Sequence, residues 1–216
     1  DVYRMTANGD SVTNLTHHPG MDWFADWSPD GSRIAFTSSR DFQEGYNCDP
    51  YCPGEIYVMG ADGSSPTRLT DNLVDDVQAD WDPTGTRLAY ISGTDQSYDL
   101  YVMGADGSQP QALTENAQEN YGPAWSPDGS TLAYVSNRDG NFEIYLMRPD
   151  GSQETRLTHT PRDETAVSWA PTGDRLLFIQ TEPGQHASFA PSGIYVMNLD
   201  GSQVTRIGEG YYSPEW

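Results

Sequence analysis

Short apolar runs broken by Gly, Pro, Asp and Asn follow one another along the whole chain. The stretch from Tyr121 to Thr158 holds four of them: "YGPAWS", "TLAYVS", "FEIYLM" and "ETRLT". Each is too short for a helix, rich in aromatic and β-branched residues, and bounded by turn residues, which predicts four strands, A to D. Strand B is almost continuously apolar, as expected of a strand covered on both faces. Between A and B, Pro127 fixes φ and Gly129 supplies the positive φ that closes the turn. The C to D turn carries a Gly after Asn8, Asp62, Asp106, Asp150 and Asp200, a hairpin dipeptide.

The pattern is periodic. Trp27, Trp81, Trp125, Trp169 and Trp216 mark strand A. Strand C carries Tyr-x-Met at Tyr3, Tyr57, Tyr101, Tyr145 and Tyr195, and strand D places Leu15, Leu69, Leu113, Leu157 and Ile207 ten residues past each Met. From Met to the next Trp the spacing is 22, except for 19 at the last; from Trp to the next Met it is 32, 22, 22 and 28. A basic period of 44, with insertions of 10 and 6 residues in two units, predicts an all-β chain: a β-propeller of four-stranded antiparallel blades, about five of them represented. The expected organisation is a single domain, 1–216, with repeat units 17–70, 71–114, 115–158 and 159–206 and a composite, incomplete blade from 1–16 and 207–216. Two arrangements account for that blade: a five-bladed ring lacking one strand, or a segment of a six-bladed ring. The tryptophans and the strand B aromatics Phe36, Tyr90, Tyr134 and Phe178 are expected between blades, each contributing about 1.5–3 kcal/mol when fully buried.

The runs "WSPDGSRIAFTSSRD" and "WSPDGSTLAYVSNRDGNFEIYLMRPDGSQETRLT" resemble the repeats of TolB-like β-propellers. That family spans interaction proteins and the propeller domains of some peptidases, so the resemblance implies a fold and leaves function to the loops.

Composition narrows the partners. The formal charge is −21, and all eleven basic residues are Arg. Such a surface repels nucleic acid and concentrates cations, Ca²⁺ included. No apolar run approaches the roughly 18 residues of a membrane helix, so no membrane insertion is expected, and no charged-then-apolar leader opens the sequence. Cys48 and Cys52 flank a turn-forming "DPY" and are expected to form a disulfide, which points to a periplasmic or extracellular setting.

In a propeller the A to B and C to D turns share one face, and the D to A and B to C connections share the other. The first set is monotonous here. The second differs from unit to unit and holds both insertions and all four histidines, so binding is expected on that loop face. Five residues before each Trp stand Asp22, Asp76, Asn120, Glu164 and Tyr211. The first four form a candidate oxygen ring for axial Ca²⁺, which takes 6–8 oxygens. Trp23, Tyr121, Tyr211 and Tyr212 offer aromatic contact to a peptide or sugar, and His17 and His159 share a register after "LT". No nucleophile elbow, zinc helix or phosphate loop occurs. The expectation is a non-catalytic binding or scaffold propeller engaging a protein or peptide. A glycoside hydrolase built on the ring carboxylates, or the gate of a larger peptidase, are the alternatives.

Overall fold

The computed structural model describes residues 1–41, 53–94, 97–115, 118–182 and 192–210. Cys48, Cys52, Tyr211, Tyr212 and Trp216 lie outside the described residues, as do the expected disulfide and the approach of Asp1 to Trp216.

Among the described residues, eighteen strands form one two-stranded and four four-stranded sheets. The hairpin is β1 (Tyr3–Arg4) with β2 (Thr13–Asn14). Next comes β3 (Asp22–Trp27), β4 (Arg33–Ser38), β5 (Glu55–Gly60) and β6 (Thr67–Arg68). The following sheet is β7 (Asp75–Trp81), β8 (Arg87–Thr94), β9 (Ser97–Gly104) and β10 (Gln111–Ala112). The third is β11 (Asn120–Trp125), β12 (Leu132–Ser136), β13 (Glu143–Met147) and β14 (Thr155–Arg156). The last is β15 (Asp163–Trp169), β16 (Arg175–Thr181), β17 (Ser192–Asn198) and β18 (Thr205–Gly210). Every pairing within a sheet is antiparallel and joins neighbours in sequence, the meander of a propeller blade. The expected A to D strands are these four, blade by blade. The outer strand is two residues long in three of the four blades, whereas β18 runs six and pairs with β17 as far as Gly210.

The innermost strand of each blade carries a bulge, between Trp23 and Asp26, Val77 and Asp80, Tyr121 and Ala124, and Thr165 and Ser168. One residue in each bulge takes a positive φ: Phe24, Gln78, Gly122 and Ala166. A bulge tightens the local twist, which suits strands crowded around an axis.

Hydrophobic clusters lie between blades. Trp81 packs on Ala35, Ile56 and Val58 of the preceding blade, Trp125 on Ala89 and Val102, and Trp169 on Ala133, Val135 and Ile144. All three tryptophans are buried. Trp27 departs from this expectation, with 46% of its surface exposed. Its neighbour on that side is the two-stranded hairpin, which offers Val2 and Leu15 to Ile34 and Phe36 but, among the described residues, no strand B like the one that gives Trp81 its contact with Ala35. Among the described strands, β15–β18 touch β11–β13 and not β1–β6, so the blades follow one another as an arc.

Candidate functional site

The loop face begins where strand C of one blade meets strand A of the next, and there the sequence places an acid on each side. Glu55 opens β5, Glu143 opens β13, and Asp99 holds the equivalent place inside β9, each two residues before the Tyr of the repeat. The Thr that follows each strand D Leu ties that strand down. Thr70 and Thr114 hydroxyls donate to Glu55 (2.6 Å) and Asp99 (2.8 Å). The same hydroxyls, and that of Thr158, accept the N–H of Ile56, Leu100 and Ile144, each at 2.9 Å. Arg68 Nη2 reaches Glu55 (2.9 Å) and Arg156 Nη2 reaches Glu143 (2.6 Å). Ala112 occupies the matching position of the middle blade.

Against these acids stand the ring residues expected at the axis. Asp22, Asp76, Asn120 and Glu164 are 7%, 0%, 0% and 0% exposed, so they are fastened inside the blade joints. Asp22 receives Arg40 Nη2 at 2.9 Å. Asn120 donates to Tyr98 O at 2.5 Å and accepts from Arg138 Nη2 at 3.2 Å. Both arginines lie 13 residues past their Trp and rest over aromatic rings: Arg40 over Phe36 (4.9 Å) and Tyr57 (5.0 Å), Arg138 over Tyr145 (4.6 Å).

The alternate blades carry Thr94 and Glu182 at that position, and their ring acids have no Arg. Asp76 Oδ2 accepts Asn72 Nδ2 at 2.5 Å, while Oδ1 has no hydrogen-bond partner. Burial, with the charge of Glu55 adding to it, pushes the Asp76 carboxyl up to about 6. Glu164 Oε1 accepts Thr160 Oγ1 (2.7 Å) and Gln180 Nε2 (2.8 Å). Burial and the facing Glu143 carboxyl push Glu164 up to about 7. Against its own burial, Glu143 is held below the usual carboxylate range by the facing Glu164, then by Thr158, Arg156 and Asn141. Neither Glu143 Oε2 nor Glu164 Oε2 meets an N–H or O–H donor, and a proton carried by Glu164 and donated to Glu143 relieves both.

The four ring residues are therefore drawn into separate joints. Among the described residues no group of three or more His, Cys, Asp and Glu is placed to hold a metal ion. The strand C acids escaped attention in the sequence, although their register with the Tyr marker and the Thr after each strand D Leu was there to read.

The described aromatics of that face, Trp23 and Tyr121, are partly buried against the core. Tyr121 is half-buried, with its ring 5.6 Å from Tyr98 and 5.8 Å from Phe142, and its hydroxyl donates to Glu119 at 3.3 Å. Trp23 packs half-buried against the same core cluster as Tyr98 and Tyr121. A shallow apolar hollow of about 450 Å³ is lined by Met21, Asp22, Trp23 and Phe24. His17 and His159 are exposed on separate blades, the backbone N–H of His17 donating to Asn14 Oδ1.

Comparison with known proteins follows the fold. Residues 115–216 match the family model described as the TolB beta propeller domain. An uncharacterised protein of Agrobacterium fabrum is 34% identical over 92 residues, which is 43% of this chain and 28% of that relative's length. The structure of a candidate TolB from Agrobacterium tumefaciens superposes with a TM-score of 0.81 at 25% identity, over 97% of this chain and 75% of the other. TolB from Acinetobacter baumannii gives 0.76 at 14% identity, over 96% of this chain and 48% of its own, a likeness of fold.

Proposed function

We propose that this chain, similar to TolB-like β-propellers in fold and over residues 115–216 in sequence, is an extracytoplasmic, non-catalytic module that binds a protein or peptide on its loop face. The observation that carries the reading is the fate of the ring acids. A general acid or base must reach a substrate. Asp22, Asp76 and Glu164 instead are buried and held by Arg40, Asn72, Thr160 and Gln180 of their own blades and entry loops. What that face offers a visitor is aromatic: Trp23, Tyr121 and their neighbours, residue types that anchor protein interfaces. The formal charge of −21 favours a basic partner surface and fast, salt-sensitive association.

Site-specific photo-crosslinking tests this reading. A crosslinker at Trp23 or Tyr121, in extracts of the source organism, should capture a defined protein, and one at Ser64 in a turn of the opposite face should not. No defined product from either Trp23 or Tyr121 would overturn the assignment.

Axial calcium is a secondary proposal. An ion there would use the unpartnered Asp22 Oδ2, Asp76 Oδ1 and Glu164 Oε2, with Asn120, and those side chains would have to leave their joints to converge. Support would be a rise in thermal midpoint with calcium over chelator that disappears on Asp76→Ala and Glu164→Ala; identical midpoints in both conditions would end it.

A further inference from the structure

On the opposite face the blades are sealed by a repeated device, and one joint lacks it. Strand B opens with Arg33, Arg87, Thr131 and Arg175 in the four blades. Arg33 carries its guanidinium over the Trp81 ring of the next blade at 4.5 Å and donates from Nη2 to Gly85 O at 2.8 Å. Arg87 lies over Trp125 at the same distance, 4.5 Å. A second tie accompanies each: Asp26 accepts the N–H of Trp81 (3.1 Å), and Asp80 accepts that of Trp125 (2.7 Å).

The joint between the third and fourth blades has neither. Thr131 replaces the Arg and Ala124 replaces the Asp. Among the described residues no cation stacks on Trp169. Its indole Nε1 donates instead to Ala124 O at 3.0 Å, which fixes the ring in place, whereas Trp81 Nε1 and Trp125 Nε1 have no partner. A cavity of about 290 Å³ opens there, lined by Asp128, Thr131, Trp169, Gly173 and Leu199 among others. Its wall repeats the receptor for Arg33. Gly173 stands where Gly85 presents its carbonyl. Asp128 stands where Asp30, in the first joint, feels the charge of Arg33. Asp128 is held as a carboxylate by the Ser126 and Ser130 hydroxyls and the Ser130 N–H.

We infer that this cavity is a guanidinium site, built to take an arginine side chain from a partner protein in the place that Arg33 and Arg87 fill from within. An aromatic face, a carboxylate and a backbone carbonyl are what a planar, five-donor cation requires, and the chain's negative charge draws such a partner in. A cavity near 300 Å³ lies at the small end of ligand pockets, suited to one side chain. The site is on the turn face, so it stands or falls independently of the loop-face reading.

The test uses the peptide acetyl-Gly-Arg-Gly-amide and its citrulline counterpart, which keeps the shape and removes the charge. Trp indole N–H resonances of the ¹⁵N-labelled protein report the contact, with Trp169 assigned by Trp169→Phe. The Arg peptide should shift the Trp169 resonance saturably, and the citrulline peptide should bind about tenfold more weakly. Thr131→Arg should fill the cavity, abolish the shift and raise the thermal midpoint. Asp128→Asn, at an exposed turn, should weaken the Arg peptide with the fold intact. No saturable shift, equal response to both peptides, or an undiminished shift in Thr131→Arg would each overturn the proposal.

Discussion

The joints of this propeller come in two kinds, and the comparison between them shows what decides the charge of a buried acid. Asp22 and Asn120 sit in blades that place an Arg 13 residues after the Trp, and each ring residue is met by that guanidinium. Asp76 and Glu164 occupy the same place in blades that carry Thr94 and Glu182, and each keeps a buried oxygen with no donor. Register and burial are alike in all four, although Asn120 is an amide and Glu164 is one methylene longer than the Asp residues. A cation is what differs, and without it desolvation favours the proton.

The largest effect should come from breaking an Arg-backed joint. Arg40→Ala leaves Asp22 buried with no cation, which costs about 3–5 kcal/mol at neutral pH, checked by urea unfolding.

Next in size is the removal of a charge that the fold does not support. For an acid whose folded value is raised, the unfolded chain releases its proton first, so stability falls as pH climbs from about 4 through the folded value. Glu164→Gln substitutes an N–H donor for the shared proton. It should stabilise the protein by about 2–3 kcal/mol at pH 8 and change little at pH 4. Asp76→Asn should show the same trend, by about 2 kcal/mol, complete by about pH 7. The smallest and sharpest test converts one kind of joint into the other. Thr94→Arg puts a guanidinium where Arg40 and Arg138 stand, and the Asp76 carboxyl should fall from about 6 toward the ordinary range, followed by NMR.

Much of this architecture was legible in the sequence, for a physical reason: a blade buries its faces only against copies of itself, so strands, turns and core recur every 44 residues. Among the described residues, the tryptophan, Tyr-x-Met and Asp-Gly markers found their place in strand A, strand C and the C to D turn. Trp27 did not, because an indole's burial depends on the sheet beside it as well as on its own strand. The ring of Asp22, Asp76, Asn120 and Glu164 was legible as a register but not as an environment. Periodicity shows that four side chains are equivalent; it does not show whether they point down an open axis or into a seam. Arg40, Arg138 and Thr131 gain meaning only once their contacts in space are known.

The central claim is that Asp76 and Glu164 are structural acids, kept partly protonated at neutral pH by joints that lack an arginine. Titration of the side-chain carboxyl carbons by NMR, with Asp76→Asn and Glu164→Gln to assign the two signals, tests it most directly. The account predicts midpoints near 6 for Asp76 and near 7 for Glu164. Midpoints near 4 for both would contradict it.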